Sequence, residues 1–263
     1  MKSVCLFFIL FIFLAACDND SEDISPIDLL SEKEHIGDIS SNDNSLIISV
    51  FADDALTVGY NRLYVRTTDL NGNTIDQAPN TLMPHMYMPS MEHAAPMESL
   101  GASSLGEGIY EYAMVFTMPS EGEMMRWEIW LDVEGQELKM PITVAPSSKK
   151  RMFSFVSETS GKKLFIALVD PQEPKVGIND FELAIFEKKS MMEWPPVDYC
   201  TISFEPEMPS MGHGSPNNEY PVSIGNGHYK GKVNFTMDGL WQLNLIINEN
   251  NIEEGSGYFE IEF

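Results

Sequence analysis

A chain of 263 residues with 16 basic against 40 acidic side chains carries a formal charge of −24, and this balance excludes nucleic acid, whose phosphates need basic patches. At 43% hydrophobic and 11% aromatic the chain can bury real cores, which excludes a disordered acidic segment, and its length suits about two domains. Seventeen methionines gather around two short phrases.

Residues 4–14 are an almost unbroken apolar run behind Lys2, too short for a spanning helix of about 20 residues. They read as the core of a signal peptide covering residues 1–16. Leu14-Ala15-Ala16-Cys17 resembles the bacterial lipoprotein signal, which implies cleavage before Cys17 and a lipid on it. The expected location is the cell envelope, with the membrane as a partner through that lipid and the protein facing the periplasm or the cell surface. Cys5 leaves with the signal, so Cys200 remains a free thiol and no internal disulfide forms. Residues 17–45 are rich in Asp, Glu, Ser and Asn and read as a flexible acidic tether that includes His35.

Beyond the tether the chain alternates in short β-branched and aromatic runs separated by turn residues. Strands are predicted at residues 46–51, 62–67, 110–118, 127–133 and 138–144, then at 164–169, 181–186, 200–204, 229–236, 241–247 and 258–263. Residues 152–156 form an extra strand, a hairpin partner for 164–169. Pro141 fits an edge strand. With no helical period, this pattern gives an all-β chain of two antiparallel, immunoglobulin-like sandwiches, residues 46–146 and 149–263.

Five landmarks recur in order. Val58-Gly59-Tyr60-Asn61 answers Val176-Gly177-Ile178-Asn179, and Met88-Pro89-Ser90-Met91-Glu92-His93 answers Met208-Pro209-Ser210-Met211-Gly212-His213. Gly108 and Tyr110 answer Gly227 and Tyr229, Phe116-Thr117-Met118 answers Phe235-Thr236-Met237, and Trp127-x-Ile129-x-Leu131 answers Trp241-x-Leu243-x-Leu245. The order and near-constant offset indicate a duplicated domain. This succession resembles the YtkA-like/FixH-like family of exported immunoglobulin-like domains, across both copies. The resemblance implies fold and export, with family links to heavy-metal handling and respiratory-oxidase maturation.

Proline in second place makes Met-Pro-Ser-Met a turn that brings its two ends together. Two thioethers and an imidazole are soft donors that suit Cu(I) better than Mg²⁺ or Ca²⁺. The candidate ligands are therefore Met88, Met91 and His93 in the first copy and Met208, Met211 and His213 in the second. Met83, His85, Met86 and Met97 are spare donors. Methionine also fills irregular gaps, so the same loops suit packing or contact with an envelope partner. Two functions stand open: a membrane-anchored copper buffer or donor with a metal acceptor as partner, or a non-enzymatic interaction module. Met118 and Met237 read as core and His228 as a surface residue. No nucleophile elbow, phosphate loop or Cys-x-x-Cys appears, so no enzyme is expected.

Overall fold

The computed structural model describes residues 30–106 and 108–263; the expected signal peptide, Cys17 and the start of the expected tether lie outside them. The first half contains β1 (Glu34–Ser40), β2 (Leu46–Ala52), β3 (Gly59–Asp69), β4 (Thr74–Ile75), β5 (Thr81–Met88), β6 (Met91–Ala94), β7 (Met97–Ala102), β8 (Ile109–Phe116), β9 (Arg126–Val133) and β10 (Gln136–Ile142). The second contains β11 (Met152–Val156), β12 (Lys163–Asp170), β13 (Gly177–Glu187), β14 (Thr201–Met208), β15 (His213–Gly214), β16 (Glu219–Gly225), β17 (His228–Phe235), β18 (Leu240–Glu249) and β19 (Ile252–Glu262).

Each half closes into a sandwich of two antiparallel sheets. In the first the orders are β1-β2-β3-β8-β7, with β4 beside β3, and β10-β9-β5-β6. In the second they are β11-β12-β13-β17-β16 and β15-β14-β18-β19. Strand for strand the two orders coincide, β4 aside. The chain is all-β, as its alternation demands: on β9 Trp127, Ile129, Leu131 and Val133 are buried while the residues between them are not. Met86, Phe116 and Trp127 anchor one core, and Phe181, Phe235, Trp241 and Phe259 the other. Pro141 lies on β10, an edge strand.

The repeated landmarks hold these sandwiches together. Asn61 accepts a hydrogen bond from the Thr57 amide at 3.0 Å and donates to the carbonyls of Thr57 and Gly59, both at 2.8 Å. Asn179 makes the same three bonds with Lys175 and Gly177. The glycines inside these turns have φ of +118° and +106°, a backbone state that side chains with a Cβ rarely adopt. Trp127 Nε1 donates to the Met118 carbonyl at 2.9 Å, and Trp241 Nε1 to that of Met237 at 3.0 Å. Met118 and Met237 pack against their respective cores.

One expectation is corrected. Residues 30–45, read as part of a flexible tether, belong to the first sandwich. Leu30 is 3% exposed and packs with Tyr64 and Ile109, and β1, which carries His35, pairs antiparallel with β2. Its apolar content is low and a bulge between His35 and Gly37 breaks the alternation, so it meets the core through Ile36 and Ile39 without a regular hydrophobic stripe, and its backbone ladder to β2 completes the seating. The polar residues after it form a turn in which the Ser41 hydroxyl accepts from the amides of Ser45 and Leu46. β11, expected as an extra strand paired with β12, does pair so; its counterpart in the first half is β1.

The two sandwiches also pack on each other. Tyr60 on β3 and Val115 on β8 meet Met152, Ala167, Val169, Ala184 and Phe186, which lie on β11, β12 and β13. Along one side Ala94 and Met83 meet Phe165 and Trp194, and the Ala94 amide donates to the Met191 carbonyl at 2.8 Å.

Candidate functional site

The first Met-Pro-Ser-Met phrase forms the tip of the β5–β6 hairpin. Met88 pairs with Met91 across a two-residue turn, Tyr87 with Glu92, and Met86 with His93. Side chains directly opposite share a face and the face alternates along the strand, so Met86, Met88, Met91 and His93 lie on one side. Met86 is also the partner of Trp127 on β9. Met86 and His93 are 0% and 2% exposed, whereas Met91 is 44% exposed. The His93 Nδ1 proton goes to the Ala94 carbonyl at 2.7 Å, and the ring meets Trp127 edge to face with centroids 5.5 Å apart. Burial lowers its pKa below the ordinary value, which keeps the imidazole neutral and leaves the lone pair on Nε2.

The second phrase sits in a different register. Met208 itself pairs with His213, across a four-residue loop in which the amides of Met211 and Gly212 donate to the Met208 carbonyl at 3.1 and 2.9 Å. Glu207 pairs with Gln242, one place from Trp241, as Tyr87 pairs with Arg126, one place from Trp127. Met208 is therefore the counterpart of Met86 rather than of Met88. It is 2% exposed while Met211 is 61% exposed. His213 Nδ1 donates to the Gly214 carbonyl at 2.9 Å and its ring meets Trp241 edge to face at 5.9 Å.

The spare donors are dispersed. Met83 and His85 lie on the opposite face of β5 from Met86 and Met88. His85 stacks on Trp130 at 4.1 Å and faces Glu92 through Nε2 at 3.0 Å, while its buried Nδ1 has no hydrogen-bond partner among the described residues. Met97 is on β7, in the other sheet, opposite Met114. Among the described residues no three His, Cys, Asp or Glu side chains form a metal-holding group. Cys200 is partly buried with its thiol pushed up to about 11 by burial, the reverse of a reactive thiolate.

His228 is not the surface residue expected from sequence. Its side chain is 13% exposed and bridges Glu182 of its own domain and Glu98 of the other. The signal available in the sequence was indirect: residues 164–169 and 183–186 are apolar at consecutive positions, the mark of strands covered on both faces.

Residues 158–245 match the YtkA-like family model. The YtkA-like segment spans β12 to β18 and so includes the second Met-Pro-Ser-Met phrase, His213 and Trp241. No curated protein matches the chain. Among solved structures the chain is similar to domains 5-6 of the S-layer protein SbsC, at 12% identity over 88% of this chain and 97% of that one, with a TM-score of 0.30. It is similar to the Escherichia coli adhesin FdeC at 14% identity, over 86% of this chain and 65% of that one, with a TM-score of 0.27. The titin Ig tandem A164-A165 follows at 9% identity, 88% and 97% coverage and a TM-score of 0.21.

Proposed function

We propose that the chain is a non-enzymatic immunoglobulin-like interaction module of the cell envelope, which offers methionine-tipped hairpins to the apolar surface of a partner protein. One observation carries this reading: within each phrase the histidine ring packs edge to face on a tryptophan and its Nδ1 bonds a backbone carbonyl, while the tip thioether stays outside. Met91 and Met211 are 44% and 61% exposed, and Met191 and Met192, beside the first hairpin, are 41% and 48% exposed. Flexible, polarizable thioethers on rigid hairpins adapt to varied apolar surfaces. A lipid on Cys17, the reading of the Leu-Ala-Ala-Cys sequence, would hold the module at its membrane.

Photoreactive side chains placed at positions 91 and 211 test the interaction in intact cells, with position 71 on an exposed turn as control. A single recurrent protein adduct from 91 and 211, absent from 71, is the expected result. Equal adducts from all three positions, or none, reject it. Replacing Cys17 with Ala should release the protein from the membrane fraction; continued anchoring with the same lipid mass rejects the lipid reading.

A second reading is Cu(I) binding for buffering or delivery, favoured by the shared face of Met86, Met88, Met91 and His93. Three thioethers and a neutral imidazole make a soft donor set. In the second hairpin Met208 and His213 pair while Met211 sits within the loop, so the first hairpin is the stronger candidate. Competition against a Cu(I) chelator decides: Met88→Leu with Met91→Leu preserves apolar volume and should weaken binding at least tenfold. Equal affinity in that variant, or no binding by the parent, removes this reading.

A further inference from the structure

The packed faces of the two sandwiches enclose a charged bridge centred on His228. His228 Nδ1 donates to Glu182 Oε1 at 2.7 Å, and Nε2 donates to Glu98 Oε1 at 2.9 Å and Oε2 at 3.1 Å. An imidazole that donates from both nitrogens is an imidazolium. All three side chains are 13% exposed, so solvent screens the bridge weakly. Glu182 on β13 belongs to the same domain as His228 on β17, whereas Glu98 on β7 comes from the other. The bridge lies in an interdomain cleft of about 510 Å³ walled by Met97, Leu100, Phe186, Trp194 and Ile224.

The surrounding charges are few and assignable. From β3, Tyr60 donates its hydroxyl to Glu98 Oε2 at 3.0 Å and meets the His228 ring edge to face at 6.0 Å. Arg62, also on β3, approaches Asp170 at the end of β12 at 4.0 Å. On β17, Lys230 lies 3.6 Å from Glu182 and 3.8 Å from Asp180, both on β13. Lys232 bonds Asp180 at 3.1 Å with Glu219 of β16 opposite it, and Arg151 feels Asp170.

We propose that His228 is a proton-operated latch between the two domains, holding Glu98 as the imidazolium and letting the cleft walls part when it deprotonates. Parting would bare the apolar faces around Val115, Val169 and Phe186, which the closed form covers. The sign follows from linkage. Burial pulls the His228 pKa down, but hydrogen bonds to Glu182 and Glu98 outweigh it and raise the value to about 9. When the domains part, Glu182 stays and Glu98 leaves, so the open form has a lower pKa than the closed form. Opening then releases a proton. The latch is at full strength below the open-form pKa and weakens as pH rises from there towards 9. Within that window the opening equilibrium grows by at most about tenfold per pH unit.

The Ala94 amide, hydrogen-bonded across the interface to Met191, reports opening through its hydrogen exchange in the full chain. Divided by the intrinsic chemical rate at each pH, its exchange should rise several-fold per unit on the way from neutral pH to 9. In Glu98→Gln that extra slope should vanish, while the Leu243 amide, in the second core, keeps its protection. His228→Gln should be flat as well, and Tyr60→Phe should keep the slope. A flat profile in the parent, or the parental slope in Glu98→Gln, overturns the proposal.

Discussion

His93 and Trp127 meet edge to face, with centroids 5.5 Å apart and planes at 89°, and His93 also lies 6.4 Å from Trp194 of the second domain. It thus joins the hairpin both to its own core and to its neighbour. The corresponding His213 touches Trp241 at 5.9 Å and is only half-buried. An edge-to-face pair contributes about 0.5–1.5 kcal/mol and a hydrogen bond about 1 kcal/mol. His93→Ala should therefore cost about 1.5–2.5 kcal/mol, and His213→Ala less, because its ring is half-exposed, both read from urea denaturation. Equal costs would show that the contact with Trp194 adds nothing.

The same burial makes His93 sensitive to acid. Its folded pKa is lowered, so between the ordinary value near 6.5 and that lower value the unfolded chain takes up a proton that the folded chain refuses. The sign is a loss of stability as pH falls below 6.5, with none above it. His93→Gln should remove that part of the acid loss and leave the profile above pH 6.5 unchanged. Stability curves from pH 5 to 7 for parent and variant provide the check; parallel curves would place the loss elsewhere.

Asn61 and Asn179 each close a turn with three hydrogen bonds to backbone groups. Removing the amide leaves two carbonyls and one N–H without that partner, at about 1–3 kcal/mol. Asn61→Ala and Asn179→Ala should both destabilise within this range. Asp in either place should cost nearly as much, because a carboxylate accepts the N–H bond but donates none. Chemical denaturation of the four variants tests this, and a neutral Asp would contradict it.

How much of this could be read in the sequence follows from what each residue touches. The strands that face a core on one side and solvent on the other, such as β9 and β18, announced themselves by alternation, and Trp127 and Trp241 marked equivalent places. β1 did not, because Ile36 and Ile39 are its apolar side chains and a bulge separates them in phase. The phrase Met-Pro-Ser-Met was legible as a turn, but not its register. Two residues more in the first hairpin shift the pairing so that Met86 takes the place that Met208 holds in the other domain. The bridge from His228 to Glu98 joins residues 130 positions apart, and nothing in local spacing foretells it.

The seating of β11 gives the last test. Phe153 and Phe155 lie across β19, where the chain has Gly255 and Gly257, and a methyl group added at either glycine would collide with the phenylalanine ring. The rings are held by neighbours, Phe153 against Phe259 at 5.3 Å, so neither can step aside without breaking a core contact. Overpacking of this kind costs about 1–3 kcal/mol, and Gly257→Ala should reach it. Gly37 on β1 offers the contrast. An added Cβ there would come 3.3 Å from Met140 Sδ, a contact that an unbranched thioether relieves by shifting a few tenths of an ångström more easily than a phenyl ring does. Gly37→Ala should therefore change stability by less than about 0.5 kcal/mol. In Gly257→Ala the loss should appear first as faster exchange at the Leu168 amide, which donates to the Arg151 carbonyl beside β11, while amides of β18 stay protected. Equal effects of the two substitutions would mean that β11 and β1 are seated alike, against the packing seen at the two glycines.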